Sequence, residues 1–149
     1  MRVSLRWWLA NGWIEEHATS PAEVRDLLGV IERDLADSAI GRLSPDARLS
    51  IAYNAALQSA VLSLAVAGYR VARERHHERA LDSSCFTIGT DDRTVRRLQA
   101  FRRKRNIADY DRAGAASMGE ASEMRELAVA LHHRVREWIA ASHPELLLT

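Results

Sequence analysis

Apolar residues recur every three or four positions along most of the chain, a spacing typical of amphipathic helices. The first long example follows Ser20 and Pro21, where serine can cap a helix and proline suits its first turn. Glu23, three residues after the serine, completes a capping box. We therefore expect a first main helix over residues 21–40. Its apolar stripe consists of Val24, Leu27, Leu28, Ile31 and Leu35.

A second main helix is expected after a similar start signal, Ser44-Pro45-Asp46. No helix breaker occurs before Gly68, and apolar residues cover much of the helix circumference. A helix with so much apolar surface belongs at the centre of a fold. Its frequent alanines allow neighbouring helices to approach closely. We expect it to continue into residues 70–79, where polar residues take over.

The second half of the chain predicts two further main helices. Residues 76–90 are expected to form a long irregular connection. Residues 90–92, Thr-Asp-Asp, then cap a third main helix, which should end within residues 106–111. Another capping box begins at Ser117 and starts the fourth helix, which Pro144 ends.

The N-terminal residues predict a short extra helix over residues 3–10, closed near Gly12. Trp7, Trp8 and Trp13 give this segment an apolar surface. We expect these rings to clamp the segment onto the main helices, and the alternative is an aromatic patch that binds a partner.

These elements predict an all-α fold, an up-and-down four-helix bundle with a short extra N-terminal helix. No segment alternates convincingly between apolar and polar residues as a strand would. At 149 residues the chain suits a single domain over residues 1–149. In it, residues 1–19 are the short helix and a linker, and residues 20–142 form the bundle core.

Composition narrows the class of protein. No apolar run approaches the roughly 20 residues that a membrane span needs, and no signal peptide is recognisable. We therefore expect a cytoplasmic protein that does not engage a membrane. The single cysteine, Cys85, excludes an internal disulfide and a cysteine-rich zinc site.

Charge is balanced overall but uneven along the chain. The net charge is +1, so no global basic field attracts nucleic acid. Residues 93–105 nevertheless contain basic groups and no acid. They form either a solvated face that pairs with the acidic first helix or a phosphate-binding face, and the sequence favours neither. The cluster consists of Arg96, Arg97, Arg102, Arg103, Lys104 and Arg105.

Histidine and cysteine suggest other chemistry that the spacing does not favour. Neighbours on a helix point about 100° apart, so neither adjacent pair of histidines can chelate a metal alone. Glu74 and His77 have the Glu-x-x-His spacing of metal-binding bundles, but no second such motif occurs. We expect no metal and no cofactor. Cys85 could act as a nucleophile beside His76 or His77, although a half-buried loop cysteine is favoured.

The segment from Arg105 to Tyr110, RNIADY, is the sharpest candidate site. On a continuous helix Arg105 and Asp109 can pair, and Tyr110 is rotated about 140° from the arginine. If the helix breaks after Ala108, Tyr110 can turn back toward Arg105. A helix end held by a salt bridge is the plain alternative, but it does not require Asn106. Candidate catalytic residues are Arg105 and Tyr110, and candidate substrate-binding residues are Asn106, Asp109, Arg102 and Arg103.

A four-helix chain with Arg105 and Asn106 near the end of its third main helix resembles the HEPN family (higher eukaryotes and prokaryotes nucleotide-binding). Residues 52–70, AYNAALQSAVLSLAVAGYR, are similar to the second helix of bacterial HEPN-like proteins. The resemblance covers residues 20–142. It implies a homodimer in a toxin–antitoxin or defence setting that binds RNA or a nucleotide, or a minimal nucleotidyltransferase antitoxin. Many members are metal-independent ribonucleases.

This chain departs from the family at Tyr110, where the nuclease members have histidine. Histidine can accept a proton from a ribose 2′-hydroxyl near neutral pH. Tyrosine, with a pKa of about 10, is a poor base at pH 7. We therefore expect recognition of RNA, a nucleotide or a nucleotidyltransferase partner, with weak or no catalysis.

Two alternative functions stay open. In an active ribonuclease toxin, Arg105 would stabilise the phosphate, and Tyr110 or a remote histidine would serve the 2′-hydroxyl. In a non-catalytic adaptor, Trp7 and Trp8 would dock a partner. The remote histidines are His76, His77, His132 and His133.

Overall fold

The computed structural model describes residues 3–148 and is mostly helical, as the periodicity predicts. Two short strands, β1 (Ile14–Glu16) and β2 (Tyr69–Val71), accompany the helices. A π-helical turn, Ile107–Asp111, follows the fifth helix, and a 3₁₀ turn, Pro144–Leu147, follows the sixth. The helices are α1 (Leu5–Ala10), α2 (Pro21–Asp37), α3 (Pro45–Val66), α4 (His76–Thr87), α5 (Asp92–Asn106) and α6 (Met118–Ser142).

The predicted helix starts are confirmed at atomic detail. The side chains of Ser20, Ser44, Asp91 and Ser117 each accept a hydrogen bond from a backbone N–H in the first turn of their helix. Ser117 forms the reciprocal capping box with its glutamate. The box predicted at Ser20 is only half formed, because the Glu23 carboxylate binds His17 and Thr19 instead.

The central helix is α3, which packs against α2, α4, α5 and α6. Ala52, Leu57 and Leu62 lie on different sides of this helix, and all three are buried. Removing apolar surface from water on all sides stabilises the fold by about 25 cal/mol for each Å² buried. The predicted role of this segment as the core helix is therefore confirmed.

By length and hydropathy, α3 is also the one helix within residues 3–148 that could cross a membrane. This corrects the expectation that no apolar stretch approaches the length of a span. In the structure 72% of its most apolar window is buried by the rest of the chain. Such burial is compatible with the core helix of a soluble protein, so α3 is weak support for a membrane span.

The α3 helix ends earlier than the sequence predicts. Gly68 follows with φ +100°, a left-handed conformation that L side chains rarely adopt, and it turns the chain into β2. This strand pairs antiparallel with β1, and Ile14 lies opposite Val71. The sequence missed both strands because three residues are too few to show an alternating pattern.

The prediction of an irregular connection over residues 76–90 is wrong, because most of these residues form α4. The residue before this helix, Arg75, has φ 53° and provides no side-chain cap, so no usual start signal marks it. The buried hydroxyls of Ser83 and Ser84 donate to the carbonyls of Ala80 and Leu81 within the helix. Because Ser83 and Ser84 are small and their hydroxyls are hydrogen-bonded within the helix, α4 can pack closely against α3.

The N-terminal tryptophans clamp α1 onto the main helices, as predicted. Trp8 is buried in a small cluster with Ile14 and Leu64 and also contacts Phe86. Trp7 is 41% exposed. Of the two tryptophans in the adaptor hypothesis, one is therefore part of the core.

A long-range contact ties the loop before α6 to the start of α3. The Asp46 carboxylate accepts hydrogen bonds from the backbone N–H of Gly114, at 2.6 Å, and of Ala116, at 2.9 Å. These two bonds hold the pKa of Asp46 below its ordinary value. The contact fixes the chain that leaves the π-helical turn.

The Asp46 contact predicts a pH-dependent contribution to stability. Replacing the partly exposed carboxylate by Asp46→Ala should lower the free energy of unfolding by about 1 kcal/mol at pH 7. The folded-state pKa is depressed, so the contribution is present above the unfolded pKa and is lost as pH falls through the folded value. Urea unfolding at pH 7 and pH 3 measures the difference. Asp26→Ala, on the exposed surface of α2, is the control.

We expect the free energies of unfolding of Asp46→Ala and wild type to differ at pH 7 and to differ less at pH 3. The same difference in the free energy of unfolding at pH 7 and pH 3 would show that the charge of the Asp46 carboxylate does not contribute to stability.

Candidate functional site

The end of α5 brings together three of the residues that the sequence singled out. Arg105 Nε lies 2.9 Å from Asp109 Oδ2, and both side chains are about three-quarters buried. The N–H of this nitrogen is not directed at the oxygen, so the contact is an ion pair without an aligned hydrogen bond at Nε. Asn106 Oδ1 lies 3.5 Å from Arg105 Nη1, at the outer limit of a hydrogen bond.

Helix α3 forms the floor beneath this ion pair. The guanidinium carbon of Arg105 lies 5.6 Å from the centroid of the Tyr53 ring, within the range of a cation–π contact. The Ser50 hydroxyl donates to Asp109 Oδ2 at 3.2 Å. One turn of α3 therefore positions both partners of the ion pair.

A histidine that the sequence could not place also joins this group. His77, in the first turn of α4, lies with its Nδ1 3.3 Å from the Tyr53 hydroxyl. The two ring centroids are 6.0 Å apart. The rest of His77 is exposed, so the ring stands at the rim of the site. Nε2 makes no hydrogen bond to any residue that the structure describes.

We call this group the arginine site. It draws on α3, α4, α5 and the π-helical turn. Its members are Ser50, Tyr53, His77, Arg102, Arg105, Asn106 and Asp109.

Burial and positive charge set the protonation states in the arginine site. Burial raises the pKa of Tyr53 to about 12, against the opposing pull of Arg102 and Arg105. Tyr53 therefore keeps its proton at neutral pH. Partial burial of the ring, followed by the charges of Arg105 and Arg102, lowers the pKa of His77. His77 is accordingly neutral at pH 7, so one ring nitrogen has a free lone pair for a proton or a hydrogen bond.

A buried amide connects Arg102 with a second acid. The Arg102 Nε–H donates to Gln99 Oε1 at 2.7 Å, and Gln99 Nε2 donates to Asp82 Oδ1 at 2.9 Å. Burial raises the pKa of Asp82, with the Gln99 hydrogen bond opposing the shift. The chain Asp82–Gln99–Arg102 orients Arg102 toward the site without neutralising it directly.

An open pocket adjoins the arginine site at His77. It has a volume of about 330 Å³ and lies between α3, β2 and the start of α4. Leu57, Val61 and Leu64 form its apolar wall. His76 and His77 line it on the α4 side. A ligand could therefore approach His77 from this pocket.

Two of the predicted site residues remain outside. The chain does not break after Ala108 but widens into the π-helical turn, and Tyr110 is 75% exposed. Arg103 is exposed, since it lies about 200° around the helix from Arg105. No hydrogen bond joins Arg105 to Tyr110 in the part of the chain that the structure describes, whereas Tyr53 contacts both Arg105 and His77.

The rest of the basic face has different partners from those expected. Arg97 binds both carboxylate oxygens of Glu123, and Lys104 Nζ lies 3.2 Å from Glu120. Both acids belong to α6, whereas the predicted partner was the acidic α2. Arg103 makes no ion pair with any residue that the structure describes.

The other histidines and the cysteine do not assemble a centre. His132 and His133 pair with Glu32 and Glu137. Cys85 lies in the last turn of α4, about 12 Å along the axis from His77, so the suggested Cys–His pair does not form. Among residues 3–148, no three His, Cys, Asp or Glu side chains are grouped so that they could hold a metal ion.

The arginine site predicts a measurable change in the titration of His77. Arg105→Ala removes a nearby positive charge, so the pKa of His77 should rise toward its ordinary value of 6.5. NMR titration of the imidazole signals tests this. Arg96→Ala, on the exposed side of α5, removes the same charge elsewhere and should leave the His77 titration unchanged. An unchanged His77 titration in Arg105→Ala would contradict the site geometry.

Comparison with known proteins did not identify a relative. No protein-family model, no curated protein and no solved structure matched the chain. The resemblance to the HEPN family therefore stays a prediction from the sequence, and a functional proposal must rest on the geometry of the arginine site.

Proposed function

We propose that this protein is a cytoplasmic, HEPN-like homodimer that binds the phosphate groups of RNA or of a nucleotide at the arginine site. Helices α2, α3, α5 and α6 would be the four helices of its up-and-down bundle. The observation that supports binding most directly is Arg105, which is held between Asp109 and the Tyr53 ring in a site whose His77 lines an open pocket. Recognition of a nucleotidyltransferase partner by the same surface belongs to this proposal.

Arg105 has the features of an anion-binding residue. Its guanidinium is partly buried, where charge interactions are stronger than in bulk water. The planar group can bind two oxygens of a phosphate at once. Asp109 already provides a carboxylate oxygen at 2.9 Å, in the place that a phosphate oxygen would take. Asp109 would therefore compete with the ligand for Arg105.

The π-helical turn is the part of the site best placed to respond to a ligand. It carries Asp109, and π-helical turns within helices occur frequently at functional sites. Ile107 and Tyr110 on this turn are exposed, at 38% and 75%. These two side chains could contact the second copy in a dimer that brings two arginine sites together.

Opposite effects of two substitutions test phosphate binding. Arg105→Ala should weaken binding of a fluorescent single-stranded RNA about tenfold and reduce the slope of log affinity against log salt by about 0.7. Asp109→Asn removes the competing charge and should strengthen binding. Fluorescence anisotropy at several salt concentrations measures both, with Arg25→Ala on α2 as the matched control. Equal affinities for wild type and Arg105→Ala would reject the proposal.

A second candidate, a metal-independent ribonuclease, is favoured by the position of His77. Neutral at pH 7, its imidazole could accept the proton of a ribose 2′-hydroxyl while Arg105 and Arg102 stabilise the phosphate. If Nδ1–H donates to the Tyr53 oxygen, Nε2 is left as the proton acceptor. His77 would then supply the histidine that the motif lacks at Tyr110.

The ribonuclease candidate predicts RNA cleavage in the presence of EDTA. His77→Ala should reduce the rate by about 10²-fold or more, whereas Tyr110→Phe and His133→Ala should not. Gel analysis of a labelled RNA, together with growth after induced expression, provides the measurement. Binding without cleavage by the wild-type protein would leave recognition as the function and reject the nuclease. Cleavage lost in Tyr110→Phe and kept in His77→Ala would assign the proton transfer to Tyr110.

A further inference from the structure

A second pocket lies on the opposite half of α5 from Arg105. It has a volume of about 360 Å³ and lies between α1, the turn at Trp13, the last half of α4 and the start of α5. The arginine site uses none of its walls. Those walls include Trp7, Trp8, Trp13, Phe86, Val95 and Asp82.

The aromatic walls meet at steep angles. The Trp7 and Trp13 rings are 5.3 Å apart with an interplanar angle of 84°, and Trp8 and Phe86 are 5.5 Å apart at 82°. The rings pack edge to face against one another, so the pocket wall contains aromatic rings in several orientations. Because each aromatic face carries partial negative charge, a pocket lined by several aromatic rings can attract a cation.

Two acidic residues, Asp82 and Asp92, also line the pocket. Asp82 is half-buried. Gln99 Nε2 donates to Asp82 Oδ1, and no hydrogen bond joins Oδ2 to a residue that the structure describes. Because water solvates this half-buried carboxylate less well than an exposed one, burial raises the pKa of Asp82. A cation in the pocket would restore the stabilisation that burial removes.

The chain itself provides an example of cation binding by these rings. The Arg79 guanidinium carbon lies 4.1 Å from the centroid of Trp13, well within cation–π distance. Arg79 does not line the pocket. Trp13 therefore stabilises one cation already, and the pocket presents further aromatic surface.

We propose that this pocket binds a trimethylammonium group, with Trp7 and Trp13 as walls and the Asp82 carboxylate as counter-ion. The apolar methyl groups suit the aromatic walls, and the spread positive charge suits both the rings and the acid. A neutral ligand of the same shape would gain the apolar contact but not the charge interactions. The proposal does not depend on RNA binding at the arginine site.

A neutral compound with the shape of choline tests whether binding depends on the positive charge or only on shape. Choline titrated into the protein should quench tryptophan fluorescence and shift the indole N–H signals in NMR spectra. The same titration with 3,3-dimethylbutan-1-ol, in which carbon replaces the nitrogen, should give at least fivefold weaker binding. A third titration uses a peptide that carries trimethyllysine. The tighter binder, choline or the peptide, indicates whether the trimethylammonium group comes from a small molecule or from a modified protein. Equal binding of choline and its neutral isostere would overturn the proposal.

Two substitutions locate the binding. Trp7→Ala changes a half-exposed ring at the rim, so the fold should be retained, and choline affinity should fall about fivefold to thirtyfold. Asp82→Asn keeps an oxygen for Gln99 while removing the charge, and should weaken choline about as much as Trp7→Ala. The controls are Trp138→Phe, which contacts His143 instead, and Asp26→Asn on α2. Unchanged choline binding in both Trp7→Ala and Asp82→Asn would overturn the proposal.

Discussion

Burial of α3 on all sides is the constraint on which the rest of the structure depends. Four other helices must each cover part of this apolar helix, so their positions around it follow from the area they remove from water. Where α3 is polar, it forms specific contacts instead. Ser50 binds the carboxylate of Asp109, and Asn54 Nδ2 donates to the buried Asp34 at 2.7 Å. The same helix therefore supplies both the core and the floor of the arginine site.

The arginine site concentrates positive charge next to groups that are neutral at pH 7. Tyr53 keeps its proton because burial disfavours the phenolate, and His77 is neutral because burial and the arginines disfavour its protonation. Asp109 is the acid that balances Arg105 directly. In the proposed function an incoming anion would compete with Asp109 for Arg105, so binding would depend on how readily the π-helical turn releases Asp109.

Helix α5 contributes to two different environments along its length. Its first half faces the aromatic pocket through Val95, and its end carries Arg105. Gln99 lies between them and binds both Asp82 and Arg102. We propose a cation as the ligand of the aromatic pocket and an anion as the ligand of the arginine site. Through Gln99, one amide holds a group of each charge in a defined orientation.

The sequence by itself determined the features that short-range physics controls. Caps such as Ser44 and Ser117 act within one turn, and the apolar spacing identified α3 as the core, so these could be predicted. Other features depended on contacts between distant residues. The helix α4 begins at Arg75 without a cap, and only packing against α3 places His77 beside Tyr53, 24 residues earlier. Tertiary structure also decided the exposure of Tyr110, because the π-helical turn after α5 leaves its ring largely in solvent.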